Sequence, residues 1–338
     1  MRAFLLCVLA LAGAALLPAA KNLEIYFIDV EGGQATLFVA PSGQSMLIDT
    51  GWSGNNSRDA NRIAAAAKHA GVKAIDYLLI THFHEDHVGG VPQLAGKIPI
   101  RTFIDHGEDV EQDQRGKELY AAYTEYRAKG NHILAKAGVS IPVKGLDVQV
   151  LTADGDEIGS PLPGAGQPNP LCAADSLKAP DPTENARSVG TLITFEKFRI
   201  LDMGDLTWNK EHELVCPNNK VGTVDLYIVS HHGSDLSGSP AFVQGIHPRV
   251  AIMDNGARKG GSASTWQIIH ASPGLEDIWQ LHFAISGGKD NNTPDMFIAN
   301  TDEVGDQGNS IHVTVHPDGS FIVTNPRNKY SKTYPPKG

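Results

Sequence analysis

The feature that most constrains this chain is a run of polar residues directly behind an apolar segment. Residues 75–80 read IDYLLI and residues 81–90 read THFHEDHVGG. The apolar segment predicts a buried strand, and α/β folds carry their chemistry at the C-terminal ends of such strands. Alternate side chains of extended backbone point the same way. We therefore expect His82 and His84 to face one point, and Asp86 and His87 to face a second point nearby.

Imidazole and carboxylate groups at this spacing are the usual ligands of a hydrolytic zinc, manganese or iron site. Two ligand pairs indicate two metal ions. The simpler alternative is a polar loop whose histidines cap a strand. That alternative suits a single histidine better than a His-x-His-x-Asp-His run before two glycines.

The first twenty residues differ from the rest of the 338-residue chain, whose composition is that of a soluble globular protein. Arg2 precedes an uncharged apolar run at 3–17, and small residues follow ahead of Lys21. This layout predicts a signal peptide at residues 1–20. We therefore expect an exported protein, periplasmic or secreted, with no transmembrane segment in its mature chain.

The formal net charge of −10 bears on the partners of the protein. An acidic surface does not bind long polyanions, so we expect no extended nucleic-acid surface. Two divalent metals would make the site locally positive, which still admits a small phosphate ester or a short oligonucleotide. The sequence does not indicate an oligomeric state.

Apolar segments between turn residues predict strands at 23–30, 34–40, 45–49, 75–80, 98–104, 143–152, 191–202, 224–229 and 250–253, and a hairpin at 311–315 and 321–324. Helices are predicted at 58–70, 91–94 and 112–129. This order predicts one α/β domain over residues 21–338, a two-sheet sandwich with helices outside.

A Pro/Gly-rich insertion at about 153–182 interrupts this pattern. Unstructured segments of this length are usually functional lids or linkers, and we interpret this one as a lid over the site. Cys172 lies within it and Cys216 lies beyond Asp205. In an oxidising compartment these cysteines form a disulfide or remain two thiols, and the sequence leaves both open.

Polar clusters also end three further apolar strands, at residues 47–51 (LIDTG), 201–205 (LDMGD) and 231–234 (HHGS). Each alone is more often a turn than a ligand. Together with residues 82–87 they predict that one rim of the sandwich forms the site. His106 follows another predicted strand at this rim, and its contact with a substrate or ligand stays open. Arg258 and Lys259 are more simply a solvated turn than a phosphate contact.

With these motifs the sequence resembles the metallo-β-lactamase superfamily, whose signature is Thr-His-x-His-x-Asp-His. Within that superfamily it is most similar to the hydrolase domain of ComEC-type DNA-uptake proteins and their stand-alone relatives. The likeness extends over nearly all of residues 21–338, including FIDVEGGQA at 27–35 and HHGS at 231–234. It implies an αββα four-layer sandwich with two divalent ions, Zn or Mn.

The resemblance also implies a role for each candidate residue. Metal one would be bound by His82 and His84, metal two by Asp86, His87 and His231, with Asp205 bridging. Asp49 would orient a ligand histidine. The residues expected to take part in catalysis are Asp86, Asp205, His232 and Ser234, with His232 and Ser234 beside the metals as substrate or oxyanion partners.

Two departures from the family pattern matter. Asn185 and Ser188 stand where many members carry a third histidine on metal one, and their harder oxygen ligands shift the preference from zinc towards manganese. Gln34 replaces an acidic residue that is common in the uptake-protein relatives.

The implied activity is metal-dependent hydrolysis of a phosphodiester by a hydroxide shared between the metals, without a protein nucleophile. One alternative is a metallo-hydrolase of a lactam, lactone or thioester, against which the missing third histidine and the HHGS segment argue. Another alternative is a non-catalytic, metal-binding member of the fold. Such a protein would be recognised by the loss of some metal ligands.

Overall fold

A computed structural model describes residues 21–302 and 307–337, and the predicted signal peptide at 1–20 lies outside this part of the chain. The strands are β1 Leu23–Phe27, β2 Thr36–Val39, β3 Ser45–Ile48, β4 Ile75–Leu79, β5 Ile100–Asp105, β6 Asn131–Leu134, β7 Ser140–Ile141, β8 Asp147–Ala153, β9 Asp156–Glu157, β10 Gly190–Phe195, β11 Phe198–Asp202, β12 Leu226–Ile228, β13 Val250–Met253, β14 Asp277–His282, β15 Ile298–Asn300, β16 Ile311–Val315, β17 Phe321–Asn325 and β18 Tyr330–Tyr334. The helices are α1 Arg58–His69, α2 Glu85–Val88, α3 Val91–Ala95, α4 Gln114–Arg127, α5 Trp208–Val215, α6 Pro240–Gly245 and α7 Ala263–His270.

The strands form two large sheets. The first has the order β18-β17-β16-β1-β2-β3-β4-β5-β6, and the second has the order β15-β14-β13-β12-β11-β10-β8-β7, with β9 paired to β8. Strands β3 to β6 run parallel in the first sheet, and β11 to β15 run parallel in the second. The C-terminal ends of parallel strands meet at one edge, where an α/β fold places its site.

Alternating burial explains why the two sheets stack. Leu23, Ile25 and Phe27 of β1 pack into the core between the sheets, whereas Tyr26 belongs to a second core that includes residues of helices α1 and α4. A third core lies between the second sheet and helices α5, α6 and α7. The layers are therefore helices, sheet, sheet and helices, which confirms the predicted αββα sandwich.

One predicted strand was wrong. Residues 191–202 form the antiparallel hairpin of β10 and β11. The turn contains Glu196, whose φ is 54°. No glycine or proline marks this turn, so the apolar flanks on both sides read as one continuous strand.

The Pro/Gly-rich insertion does not form a single lid. Leu162 N–H donates to the Lys220 carbonyl and Asn169 N–H donates to the Pro217 carbonyl, both at 2.9 Å. These partners precede β12, so this half of the insertion lies at the end of the second sheet opposite the site. A disulfide joins Cys172 to Cys216 there, with 5.7 Å between the Cα atoms. The lid interpretation therefore fails for residues 162–172.

Within the described ranges 21–302 and 307–337, no helix is long and apolar enough to cross a membrane.

Candidate metal centre

The candidate site lies where parallel strands of both sheets end. Asp49 follows β3, His82 follows β4, Asp205 follows β11, His232 follows β12 and Asp254 follows β13. All five residues are buried. Asp49 and His232 have positive φ angles of 60° and 55°. Such backbone is unfavourable for residues other than glycine and is concentrated at functional sites.

The first pair of predicted ligands is His82 and His84, whose Nε2 and Nδ1 atoms lie 3.0 Å apart. The other nitrogen of each ring has a hydrogen-bond partner. Nδ1 of His82 lies 3.1 Å from the Thr81 hydroxyl, which donates its own hydrogen to Asp49. Nε2 of His84 lies 3.0 Å from a carboxylate oxygen of Glu111. Both outer nitrogens therefore donate, and the two lone pairs of the inner nitrogens face each other.

The second group consists of Asp86, His87, Asp205 and His232, whose ligand atoms all lie within 4.8 Å of one another. His87 Nε2 is 3.3 Å from Asp86 Oδ2 and 3.2 Å from Asp205 Oδ1. Its Nδ1 donates to Asp49 Oδ2 at 2.7 Å. Asp49 therefore fixes the tautomer that directs the Nε2 lone pair into the group.

Asp205 connects the two groups. Its Oδ1 lies 3.2 and 3.3 Å from His87 and His232, and its Oδ2 lies 3.3 Å from His231 Nε2 and 3.9 Å from His82 Nε2. Oδ1 is buried without a hydrogen-bond partner among the described residues. This position between the groups is the one expected of a bridging carboxylate.

His232, and not His231, lies with Asp86 and His87. The sequence placed His231 with Asp86 and His87, but His232 completes that group, with its Nε2 3.2 Å from Asp86 Oδ2. His231 Nε2 lies 3.3 Å from Asp205 Oδ2, and its Nδ1 lies 3.2 Å from the Ser237 hydroxyl. Both histidines have φ of 55°, and this left-handed turn sets the directions of their two side chains.

Asn185 and Ser188 lie beside the first pair. Val189 N–H donates to the Thr81 carbonyl at 2.8 Å, which places this segment against the residue before His82. Asn185 Oδ1 and Ser188 Oγ are buried, and neither has a hydrogen-bond partner within the described chain. Unpaired buried oxygens carry a desolvation cost that a cation would offset.

Ser234 and Gln34 have contacts of a different kind. The Ser234 hydroxyl accepts a hydrogen bond from Leu236 N–H at 3.3 Å, within its own turn. Gln34 Nε2 donates to Asp202 Oδ2 at 2.6 Å. Burial raises the pKa of Asp202 to about 7. A carboxylate at position 34 would face this buried acid, whereas the glutamine amide donates to it.

Charge balance holds the second group together. Burial acts to lower the pKa of His87, but Asp205 and Asp86 outweigh it and raise that pKa well above its usual value. The pKa of His232 rises to about 10, because Asp205 again outweighs burial. Burial acts to raise the pKa values of Asp86 and Asp205, but the imidazoles hold them well below their usual range. A divalent cation would take the place of these imidazole protons.

Three features were not predicted from the sequence. Lys259 forms an ion pair with Asp86, so it is not a solvated turn residue. His106 Nε2 is 2.8 Å from Glu184, and both are buried. Glu184 also accepts a hydrogen bond from Phe83 N–H at 3.0 Å, which positions the backbone between the first two ligands. His106 thus contacts the ligand motif indirectly, through the carboxylate of Glu184.

The residues fit a metal centre. Outward hydrogen bonds occupy the second nitrogens of His82, His84, His87 and His231, and the free nitrogens converge on carboxylate oxygens or on each other. A set of facing acceptors is stable when cations lie among them.

The comparison with known families agrees with this geometry. Residues 29–172 match the sequence model of the metallo-beta-lactamase superfamily. These residues, fewer than half of the chain, are therefore similar to that superfamily. The match contains all ligand candidates from Asp49 to His87, and the two-sheet architecture extends the fold to the remaining candidates.

Two curated relatives are similar to the chain. ComE operon protein 3 of Bacillus subtilis is 26% identical over 249 residues, which are 69% of this chain and 28% of that protein. Recombination protein 2 of Haemophilus influenzae is 26% identical over 235 residues, 69% of this chain and 24% of that protein. The chain thus spans about a quarter of the length of these relatives. Among solved structures, the metallo-beta-lactamase fold protein YhfI of B. subtilis has 12% identity and a TM-score of 0.47, covering 76% of this chain and 96% of YhfI.

Proposed function

We propose that this protein is an exported metal-dependent phosphodiesterase with two divalent cations. The observation that carries the proposal is the convergence of imidazole lone pairs and carboxylates around Asp205. His82 and His84 would hold one cation, and Asp86, His87 and His232 the other, with Asp205 between them and His231 on its outer oxygen. Bound cations would lower the pKa of a water molecule and polarise the phosphoryl oxygen.

The side chains around the centre keep these ligands in one orientation. Asp49 accepts from His87 and from both the N–H and the hydroxyl of Thr81. Ser237 donates its hydroxyl hydrogen to the Leu206 carbonyl at 2.7 Å, so it can only accept from His231 Nδ1. These contacts are made before substrate arrives, and preorganised ligands need no rearrangement during the reaction.

Substrate would approach the centre from one side. The side chains of His84, His231 and Lys259 are 31%, 11% and 37% exposed, whereas those of His82, His87 and His232 are almost fully buried. The open side therefore combines metal ligands with an ammonium group, and it favours an anionic substrate.

An anionic phosphodiester fits this environment better than a lactam. Asn185 and Ser188 offer oxygen atoms where a third imidazole is common, which favours manganese. One of the two relatives is named a recombination protein, which agrees with a nucleic-acid-derived substrate. Because the net charge is −10, we propose short oligonucleotides or small phosphodiesters rather than long DNA.

The test compares bis(p-nitrophenyl) phosphate with nitrocefin, each with Mn²⁺ and with Zn²⁺. We expect phosphodiester hydrolysis, faster with Mn²⁺, and its loss in Asp205→Asn. Asp105→Asn is a matched control, because Asp105 is a buried aspartate that binds Tyr123 and Arg127 instead of the centre. Nitrocefin turnover without phosphodiester hydrolysis would refute the proposal.

A further inference from the structure

Lys259 and Trp52 form a pair at the open side of the metal centre. Lys259 Nζ contacts Asp86 Oδ2, the oxygen that also faces His87 and His232. The same ammonium lies 5.0 Å from the centroid of the Trp52 ring. An aromatic face and a cation thus stand side by side next to the candidate ligands.

The backbone on both sides of this pair is fixed. The Lys259 carbonyl accepts from Gly256 N–H at 2.9 Å. A Cβ atom on Gly32 would lie 2.8 Å from Gly256 N and 2.9 Å from Lys259 Cβ, so the two loops pack backbone to backbone. Trp52 N–H donates to Asp59 at 2.8 Å. These contacts fix the backbone of Lys259 and leave its long side chain as the flexible part.

The lysine cannot keep its present contact unchanged once a cation binds. Asp86 Oδ2 belongs to the proposed ligand set, and a divalent cation there repels the ammonium that shares this oxygen. The flexible four-carbon stem lets the ammonium turn towards solvent, where it needs a new acceptor. A phosphate oxygen on a substrate at the cations is such an acceptor.

Movement of the ammonium also uncovers the face of the Trp52 ring. Indole faces bind nucleobases by stacking, without selecting one base strictly. Trp52 is half-buried, so its ring is held in place while part of it stays open. A nucleobase would then take the place of the Lys259 ammonium over the Trp52 ring.

We propose that Trp52 and Lys259 form a nucleotide subsite, in which Lys259 binds the phosphate and Trp52 stacks on the attached base. The inference rests on the proposed phosphodiesterase function and names its substrate class as nucleotide phosphodiesters. It explains how an acidic protein selects nucleotides through one local contact.

Calorimetric binding to the Mn²⁺-loaded protein tests the subsite without turnover. Adenosine 5′-monophosphate should bind about tenfold more tightly than ribose 5-phosphate, since only the former has a base to stack. Trp52→Leu should abolish this preference, and Trp52→Phe should keep most of it. Trp266→Leu is the control, because Trp266 stacks on His270 of α7 instead.

Lys259→Met should weaken both ligands about tenfold without lowering the Mn²⁺ content, whereas Lys197→Met, in the exposed turn of β10 and β11, should change neither. Equal binding of the two phosphates by wild type, or a preference that survives in Trp52→Leu, would overturn the subsite. If the base preference holds but bis(p-nitrophenyl) phosphate is not hydrolysed, the subsite stands and the phosphodiesterase proposal fails. If bis(p-nitrophenyl) phosphate is hydrolysed but the base preference is absent, the phosphodiesterase proposal stands and the subsite fails.

Discussion

Asp49→Asn is the substitution that isolates the orientation of a ligand from its presence. Asp49 Oδ1 accepts from Thr81 N–H at 2.8 Å, and Oδ2 accepts from His87 Nδ1 at 2.7 Å. An asparagine can keep the first contact only with its oxygen, which turns its NH₂ group towards His87 and towards the Thr81 hydroxyl, the other donor to Oδ2. His87 Nδ1 must then accept, and Nε2 carries a hydrogen into the metal centre.

The magnitude follows from these contacts. A buried hydrogen bond to a charged group contributes about 1.5–3 kcal/mol, and loss of an orienting partner typically costs about 10–100-fold in metal affinity. We expect Asp49→Asn to weaken Mn²⁺ binding about thirtyfold, which is about 2 kcal/mol. Backbone strain does not confuse the result, because asparagine tolerates the φ of 60° at this position.

Isothermal titration of Mn²⁺ into the metal-free protein measures this effect directly. Asp105→Asn is again the control, because it removes a buried carboxylate of the same sheet whose partners include Tyr123 and Arg127. The control should lose stability and keep its Mn²⁺ affinity. Mn²⁺ affinity within twofold of wild type in Asp49→Asn would refute the assigned role of His87.

Three further predictions concern protons and stability. At pH 7, Mn²⁺ binding should release protons, since carboxylates raise the pKa values of His87 and His232; titrations in buffers of different ionisation enthalpy count them. Burial raises the pKa of Glu211 from 4.5 to about 7, so the folded chain keeps a proton there that the unfolded chain has lost, and stability falls as pH rises through that window. In wild type this loss of unfolding free energy should be at most about 3 kcal/mol between pH 4.5 and 8. Urea unfolding of Glu211→Gln should not show it, because glutamine does not titrate. Replacing Cys172 and Cys216 by serine should lower the free energy of unfolding by about 4 kcal/mol, for a sequence separation of 44, and leave the Mn²⁺ content unchanged.

The sequence was sufficient for the frame of the site. Apolar strands end shortly before Asp49, His82 and Asp205, and the rule that chemistry gathers at such ends predicts that these residues lie close together. In the structure, Thr81 donates to Asp49, and His82 Nε2 lies 3.9 Å from Asp205 Oδ2. The αββα sandwich followed from the order of elements and from the resemblance.

The remaining parts depend on packing that no local pattern encodes. Lys259 is 173 residues from Asp86 along the chain and reaches it because Gly32 and Gly256 let two loops touch. The places of His231 and His232 depend on a left-handed turn at both residues, which the family resemblance used to assign them does not describe. Residues 162–172 of the insertion lie at the far end of the second sheet because their backbone pairs with residues 217–220.

Anomalous diffraction from a crystal grown with Mn²⁺ tests the central claim most directly. We predict two anomalous peaks. One should lie at His82 and His84, the other among Asp86, His87 and His232, with Asp205 between the peaks. A single peak would contradict the dinuclear centre, and the absence of any peak at these residues would contradict the metal centre itself.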